Sequence, residues 1–148
     1  MNSSLIVAFE FSRDGDDFGW LTAEVQTPRF RGSNGMWVQW QDVSDLAEAL
    51  RAHPIKQNDP ITADWGFGEA LQGKAVATTI TGLSIEPRGK TGGLVARICL
   101  ADYYKPANRC STQFETDYPS LALFADEITR LLRERSGSAT LHGDANVC

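Results

Sequence analysis

Long apolar runs are missing from this chain, and so is any excess of basic charge. No stretch approaches the ~18–20 apolar residues that a membrane helix requires. Leu5–Phe9 is too short for the h-region of a signal peptide, and no lysine or arginine precedes it. Nineteen acidic residues against fourteen basic ones leave a net charge of −5. That balance points away from nucleic acid, because phosphate binding draws on a basic surface. Histidine is scarce: His53 and His142 stand in no metal-ligand spacing, and neither Cys-x-x-Cys nor His-x-x-x-His occurs, so a metal site has no ligands to build on. Three cysteines at irregular spacings argue for reduced, unbridged thiols in a cytoplasmic protein rather than a disulfide framework. What is present, 148 residues with 42% hydrophobic and 22% charged side chains, suffices for a single core.

The first third reads as strands. Leu5, Val7, Phe9 and Phe11 alternate with Ile6, Ala8 and Glu10, and Trp20–Thr27 alternates again, with Leu21, Ala23 and Val25 on one face. Arg13-Asp14-Gly15-Asp16-Asp17 supplies one turn. Arg31-Gly32-Ser33-Asn34-Gly35 is read as another, its Asn-Gly pair suiting a tight hairpin before a strand over Met36–Gln41. The period then changes. Val43, Leu46, Ala47 and Leu50 form a helical stripe within Asp42–Ala52, with Asp42 or Ser44 as cap and Pro54 beyond its end. Strand signals follow at Ile61–Phe67, Ala75–Ile85, Leu94–Tyr104 and Arg109–Thr116. A second helix is expected over Pro119–Glu134, where Leu121, Phe124, Ala125, Ile128, Leu131 and Leu132 recur at helical spacing. Both helices follow a strand through an acidic junction, which suggests two similar halves. The expected fold is α+β: a single antiparallel sheet of six to seven strands with both helices on one face. Residues 1–135 form that domain, and Gly/Ser/Ala-rich 136–148 is expected to be a flexible C-terminal tail.

Motif imitations fail on spacing. Gly89-Lys90-Thr91 resembles the end of a phosphate-binding loop, but Ser84 stands where that loop requires glycine, and a strand rather than a helix follows. Asp14-Gly15-Asp16-Asp17 lacks the spacing and terminal glutamate of a calcium loop. Cys99, in an apolar strand, is expected to be a buried small hydrophobe. The residues support no catalytic set, no metal and no cofactor.

The tryptophans carry more. With Leu21, Val25, Val38 and Trp40 facing the helices, Trp20, Thr22, Glu24, Trp37, Gln39 and Gln41 share the opposite face, which Arg97, Gln113 and Glu115 extend from later strands. Two tryptophans among polar residues match the anchor-and-rim composition of a recognition surface, giving Trp20, Glu24, Trp37, Gln39, Arg97, Gln113 and Glu115 as candidate binding residues. On this reading Trp37 is exposed and Trp40 belongs to the core. The competing reading has Trp20 and Trp37 packed on each other, or covered by the loop His53–Pro60 or the tail.

The segment Phe30-Arg31-Gly32-Ser33-Asn34-Gly35-Met36-Trp37-Val38, followed by Asp42–Leu50, resembles a pattern in small bacterial proteins of the polymorphic-toxin immunity type. The resemblance covers about a fifth of the chain and transfers no catalytic residue. It implies a cytoplasmic, acidic, non-enzymatic binder. The expected function is therefore a non-catalytic protein that binds a protein partner, such as a toxin, through the exposed sheet face, with neither nucleic acid nor membrane as partner. The alternative is a small-ligand module that stacks a carbohydrate or amphipathic molecule on Trp20 and Trp37.

Overall fold

Alternation of apolar and polar residues sets the strands, and in the computed structural model, which describes residues 2–68, 78–89 and 93–144, they assemble into two sheets. β1 (Ser3–Phe11), β2 (Phe18–Gln26) and β3 (Arg31–Gln39) form an antiparallel meander, and α1 (Trp40–Ala49) follows. β4 (Ile61–Phe67), β5 (Thr78–Arg88), β6 (Gly93–Ala101) and β7 (Arg109–Thr116) form a second meander, after which come α2 (Tyr118–Glu134) and β8 (Ser138–Gly143). The first sheet has the order β3-β2-β1-β8 and the second β4-β5-β6-β7. The expected single sheet is thus corrected to two four-stranded antiparallel sheets. Period-two patterning assigns a residue to a face, but it does not name the strand's partner, so one sheet and two read alike.

The apolar faces of both sheets meet in one core. Leu5, Leu21 and Val25 from the first sheet and Leu83, Ile85, Ile98 and Phe114 from the second are buried together with Val43 and Ala47 of α1. From α2 come Leu121, Phe124, Ala125, Ile128 and Leu131, each worth roughly 1.5–3 kcal/mol in burial for the large side chains. Asp117 caps α2 by accepting the Ser120 N–H at 2.8 Å, and the helix stops at Arg135 in the left-handed region (φ 57°). The two helices pack against one another, bury their apolar faces in this core and leave the outer faces of both sheets bare.

Two local readings change. The β2–β3 turn is Thr27-Pro28-Arg29-Phe30, closed by Thr27 N–H donating to the Phe30 carbonyl at 2.8 Å; Pro28 presets φ for a tight turn. Arg31–Gly35 is strand instead, paired with β2 from Arg31↔Gln26 to Gly35↔Thr22. Asn34 serves the other sheet: its Nδ2 donates to the Ile80 carbonyl (3.0 Å), the Thr81 hydroxyl (3.0 Å) and the Ala101 carbonyl (3.1 Å).

The second change is at the C-terminus. Ser138–Gly143, expected to be a loose tail, pairs along β1 from Ala8↔Ser138 to Ser3↔Gly143 and buries Ala139 and Leu141 fully. Beyond it, Asp144 and Glu115 exchange backbone hydrogen bonds at 2.8 Å, which ties the first sheet to β7. A side chain at Gly143 would run into the Phe114 ring and the Glu115 carbonyl, so only glycine admits this approach. Of the strand expected over Ala75–Ile85, residues 75–77 lie outside the described residues, as do residues 90–92, which include Lys90 and Thr91 of the failed phosphate-loop match, and Cys148.

Asp42, in the first turn of α1, has a carboxyl raised above its usual range, first by burial and second by Asp45. Such a carboxyl takes up its proton more readily in the folded chain. Folding therefore gains stability as pH falls through the raised value, and above that value the charged group disfavours the fold. Asp42→Asn should raise Tm at neutral pH, with the gain vanishing below the unfolded carboxylate range at about pH 3. Thermal melts of both proteins across that range check it. Leu141→Ala should cost about 2–5 kcal/mol in urea unfolding, as for a core leucine, whereas a tail residue would cost nothing measurable.

Candidate recognition site

The outer face of the first sheet begins with alternation. On β2, Phe18, Trp20, Thr22 and Glu24 point away from the core; on β3, Ser33, Trp37 and Gln39 do the same. Trp20 and Trp37 are direct cross-strand partners, and their rings meet edge to face at 5.3 Å between centroids. The Trp20 indole lies across Gly35, where an added Cβ would approach its Nε1 to 2.5 Å; any larger residue there would lift the ring off the strand. On its other flank Trp20 meets Tyr103 at 5.5 Å. Tyr103 comes from the β6–β7 turn, beyond the edge of β3, and touches Tyr104 at 5.2 Å and Phe67 at 4.9 Å. The result is a continuous ribbon, Trp37–Trp20–Tyr103, branching to Tyr104 and Phe67. Trp37 is 45% exposed, Phe67 39% and Tyr104 77%, while Trp20 in the middle is half-buried. Such ring pairs add about 0.5–1.5 kcal/mol each beyond their area, so Trp20 is a strut that holds its exposed neighbours in place.

A groove of about 370 Å³ runs beside the ribbon, with Ser33, Asn34 and Gly35 as floor and Trp20, Tyr103, Tyr104, Asn108 and Arg109 as walls. Arg109 holds the turn by donating from Nε to the Pro106 carbonyl (3.1 Å) and from Nη2 to the Thr79 carbonyl (3.5 Å). No carboxylate among the described residues pairs with it. The groove's one carboxylate, Asp102, accepts the Tyr104 N–H at 2.9 Å. The rings therefore offer apolar contact, and Arg109 lines the groove with its guanidinium held by the Pro106 and Thr79 carbonyls.

The seven residues expected to share one face are divided between two. Trp20, Glu24, Trp37 and Gln39 lie outward on the first sheet, where Glu24 is ion-paired with Arg31 at 2.8 Å. Arg97, Gln113 and Glu115 lie outward on the second, where Arg97 pairs with Glu86 at 2.7 Å and Glu115 with Arg88 at 3.2 Å. Arg97 and Gln113 are direct cross-strand partners. The competing reading of the tryptophans holds in part, since Trp20 and Trp37 do pack together. The loop His53–Pro60 is elsewhere: His53 packs on Tyr118 at 4.5 Å, and the Tyr118 hydroxyl accepts the Ile55 N–H at 2.9 Å.

Trp40 is not a core residue. β3 ends at Gln39 and α1 begins at Trp40, so strand parity stops one residue earlier than expected. Its backbone N–H donates to the Asp17 carbonyl (3.0 Å) and its indole to the Asp17 carboxylate (3.4 Å), leaving the ring 37% exposed. Cys99, expected to be buried, is half-buried on the outer face of β6, its Sγ 3.9 Å from Arg109; Cys99 and Cys110 are both free. Sequence reasoning missed Tyr103, Tyr104, Phe67 and Arg109. The available signal was a Tyr-Tyr pair directly before the turn residues Lys105-Pro106-Ala107-Asn108, since aromatics on a turn have no core to enter.

Among the described residues, no cluster of three or more His, Cys, Asp or Glu gathers to hold a metal, and no helix is long and apolar enough to cross a membrane. No protein-family model and no curated protein matches the chain. Among solved structures, the chain is similar to the crystal structure of WHY1 from Arabidopsis thaliana, at 14% identity and a TM-score of 0.46, over 89% of this chain and 78% of that one. The exclusion of nucleic acid as a partner is corrected. It rested on a charge summed over the whole chain, whereas one face here carries stacking rings beside an arginine that no carboxylate neutralises.

Trp20→Ala removes two ring contacts and should cost roughly 2 kcal/mol or more. Trp40→Ala, at an exposed helix start, should cost about 1 kcal/mol or less. Urea melts of the two variants give the comparison, and equal losses would remove Trp20 from its strut role.

Proposed function

We propose that this chain is a non-catalytic, cytoplasmic binding protein that holds the bases of a single-stranded nucleic acid against the aromatic ribbon of the first sheet. The observation that carries this reading is the ribbon itself: three exposed rings, with Trp37 held by the half-buried Trp20 and Tyr104 and Phe67 held by Tyr103, beside a 370 Å³ groove. Base–aromatic stacking is worth about 1–3 kcal/mol per base and asks for no particular sequence. A cytoplasmic setting suits the free thiols of Cys99 and Cys110. With a net charge of −5, phosphate contacts are confined to local arginines, so binding draws mainly on stacking and depends only weakly on salt.

A second reading uses the same face. Phe18, Trp37 and Trp40 are exposed near one another where β2 and β3 meet α1, an apolar patch that a protein partner such as a toxin would cover. Titrating intrinsic tryptophan fluorescence with an unstructured oligonucleotide separates the two. Saturable quenching is expected, and Trp37→Ala should weaken it at least about fivefold, the equivalent of one lost stacking contact, with little change in Tm. Absence of saturable binding overturns the nucleic-acid reading.

A further inference from the structure

A second groove, of about 430 Å³, lies on the same outer face, lined by Ala8, Phe9, Glu10 and Phe11 of β1, Trp20 and Thr22 of β2, and Arg135–Gly137 of the α2–β8 turn. Trp20 lines both grooves, so they adjoin across a single side chain. Neighbouring strands are ~4.8 Å apart, which puts β1 and β3 about 10 Å from each other. The two grooves together therefore run across the strands, from the α2–β8 turn on one side to the β6–β7 turn on the other. Each flanking turn presents an arginine. Arg135 lies over the Phe11 ring at 3.8 Å, and Arg109 stands at the opposite end. Arg31, Arg51, Arg88, Arg97 and Arg133 are ion-paired with carboxylates; of the arginines without such a pair among the described residues, Arg13, Arg29 and Arg130 line neither groove, whereas Arg109 and Arg135 do.

We propose that the two grooves form one track for a single nucleic-acid strand, with Trp20 at its middle and Arg109 and Arg135 contacting phosphates at its ends. This rests on the stacking reading above and adds to it the path, the extent and the charged contacts. Stacking fixes rings at the centre, and a strand that continues in both directions brings its phosphates to the two turns. Glu10, opposite Trp20 on β1 and exposed in the second groove, is the one charge that opposes such a strand there.

The test measures binding of an oligothymidylate of about ten nucleotides as a function of salt. Each phosphate contact contributes about −0.7 to the log–log slope for a single strand. Arg135→Gly suits the left-handed backbone at this position and should reduce the slope by about that amount. Arg135→Lys, which keeps the charge, should retain it. Arg133→Gln makes the same charge change outside both grooves and should leave the slope unaltered, and Glu10→Gln should tighten binding. If Arg135→Gly and Arg133→Gln give the same slope as the unaltered chain while Trp37→Ala still weakens binding, the track is wrong and the stacking reading stands. If no oligothymidylate binds, both fall.

Discussion

The pairing of β8 with β1 is the constraint on which the rest depends. The last described strand returns to the first, supplies the fourth strand of the first sheet, and buries Ala139 and Leu141 against the shared core. One residue later Asp144 bonds to Glu115, so the same segment joins the two sheets at their β7–β8 edge. The Thr116 hydroxyl donates to the His142 carbonyl at 2.8 Å and adds a second tie at that seam. The separation between Ser3 and Gly143 along the chain makes this a costly contact to close. Once made, it fixes the spacing within which α2 must fit. Glu127 of α2 in turn accepts the Thr140 N–H at 2.8 Å, so the helix stabilises the strand that confines it.

This closure also decides where recognition can occur. In a two-layer fold with one sheet, the helices cover one face and leave the other. Here the apolar faces of the two sheets and of both helices share one core, and two outer sheet faces remain. They differ in chemistry. On the second sheet, Arg97 with Glu86 and Arg88 with Glu115 neutralise each other in place. On the first, large rings occupy the centre, while Arg109 and Arg135, which no carboxylate pairs among the described residues, line the grooves at either side.

Much of the secondary structure was legible because alternation and helical stripes are local properties. The stripe Leu121–Leu132 gave α2 directly, and β2 and β3 kept their expected inward residues at Leu21, Val25 and Val38. Two misreadings share a cause. Asn34-Gly35 carries hairpin chemistry, yet the same two residue types also serve a mid-strand amide that bridges sheets and a bare backbone on which an indole rests. In the Gly/Ser/Ala-rich C-terminus, inward Ala139, Leu141 and Gly143 do alternate with Ser138, Thr140 and His142. Small residues are what a strand pressed against Phe114 needs, and composition alone makes them look like a tail. Strand partnership, the division into two sheets and the meeting of Tyr103 with Trp20 are non-local, and periodicity does not encode them.

Net charge misled for a related reason. A sum of −5 treats every charge as equally available, but ion pairs remove charges in matched sets, and the excess acid need not sit near the site. Asp14 and Asp16 lie in the β1–β2 turn, where the Asp16 carboxylate accepts the Phe18 N–H at 3.0 Å, and Asp126 is engaged with Arg51 at 2.6 Å on the helical side. What a ligand over Trp20 meets is the local remainder: Arg109 and Arg135 against Glu10 and an Asp102 already bonded to its own turn. A remainder so small cannot drive binding by phosphate neutralisation alone, and it leaves ring contact as the larger contribution. On the proposed reading, the acidic composition and the aromatic ribbon describe one design, a face that would take flat rings and use charge to orient them.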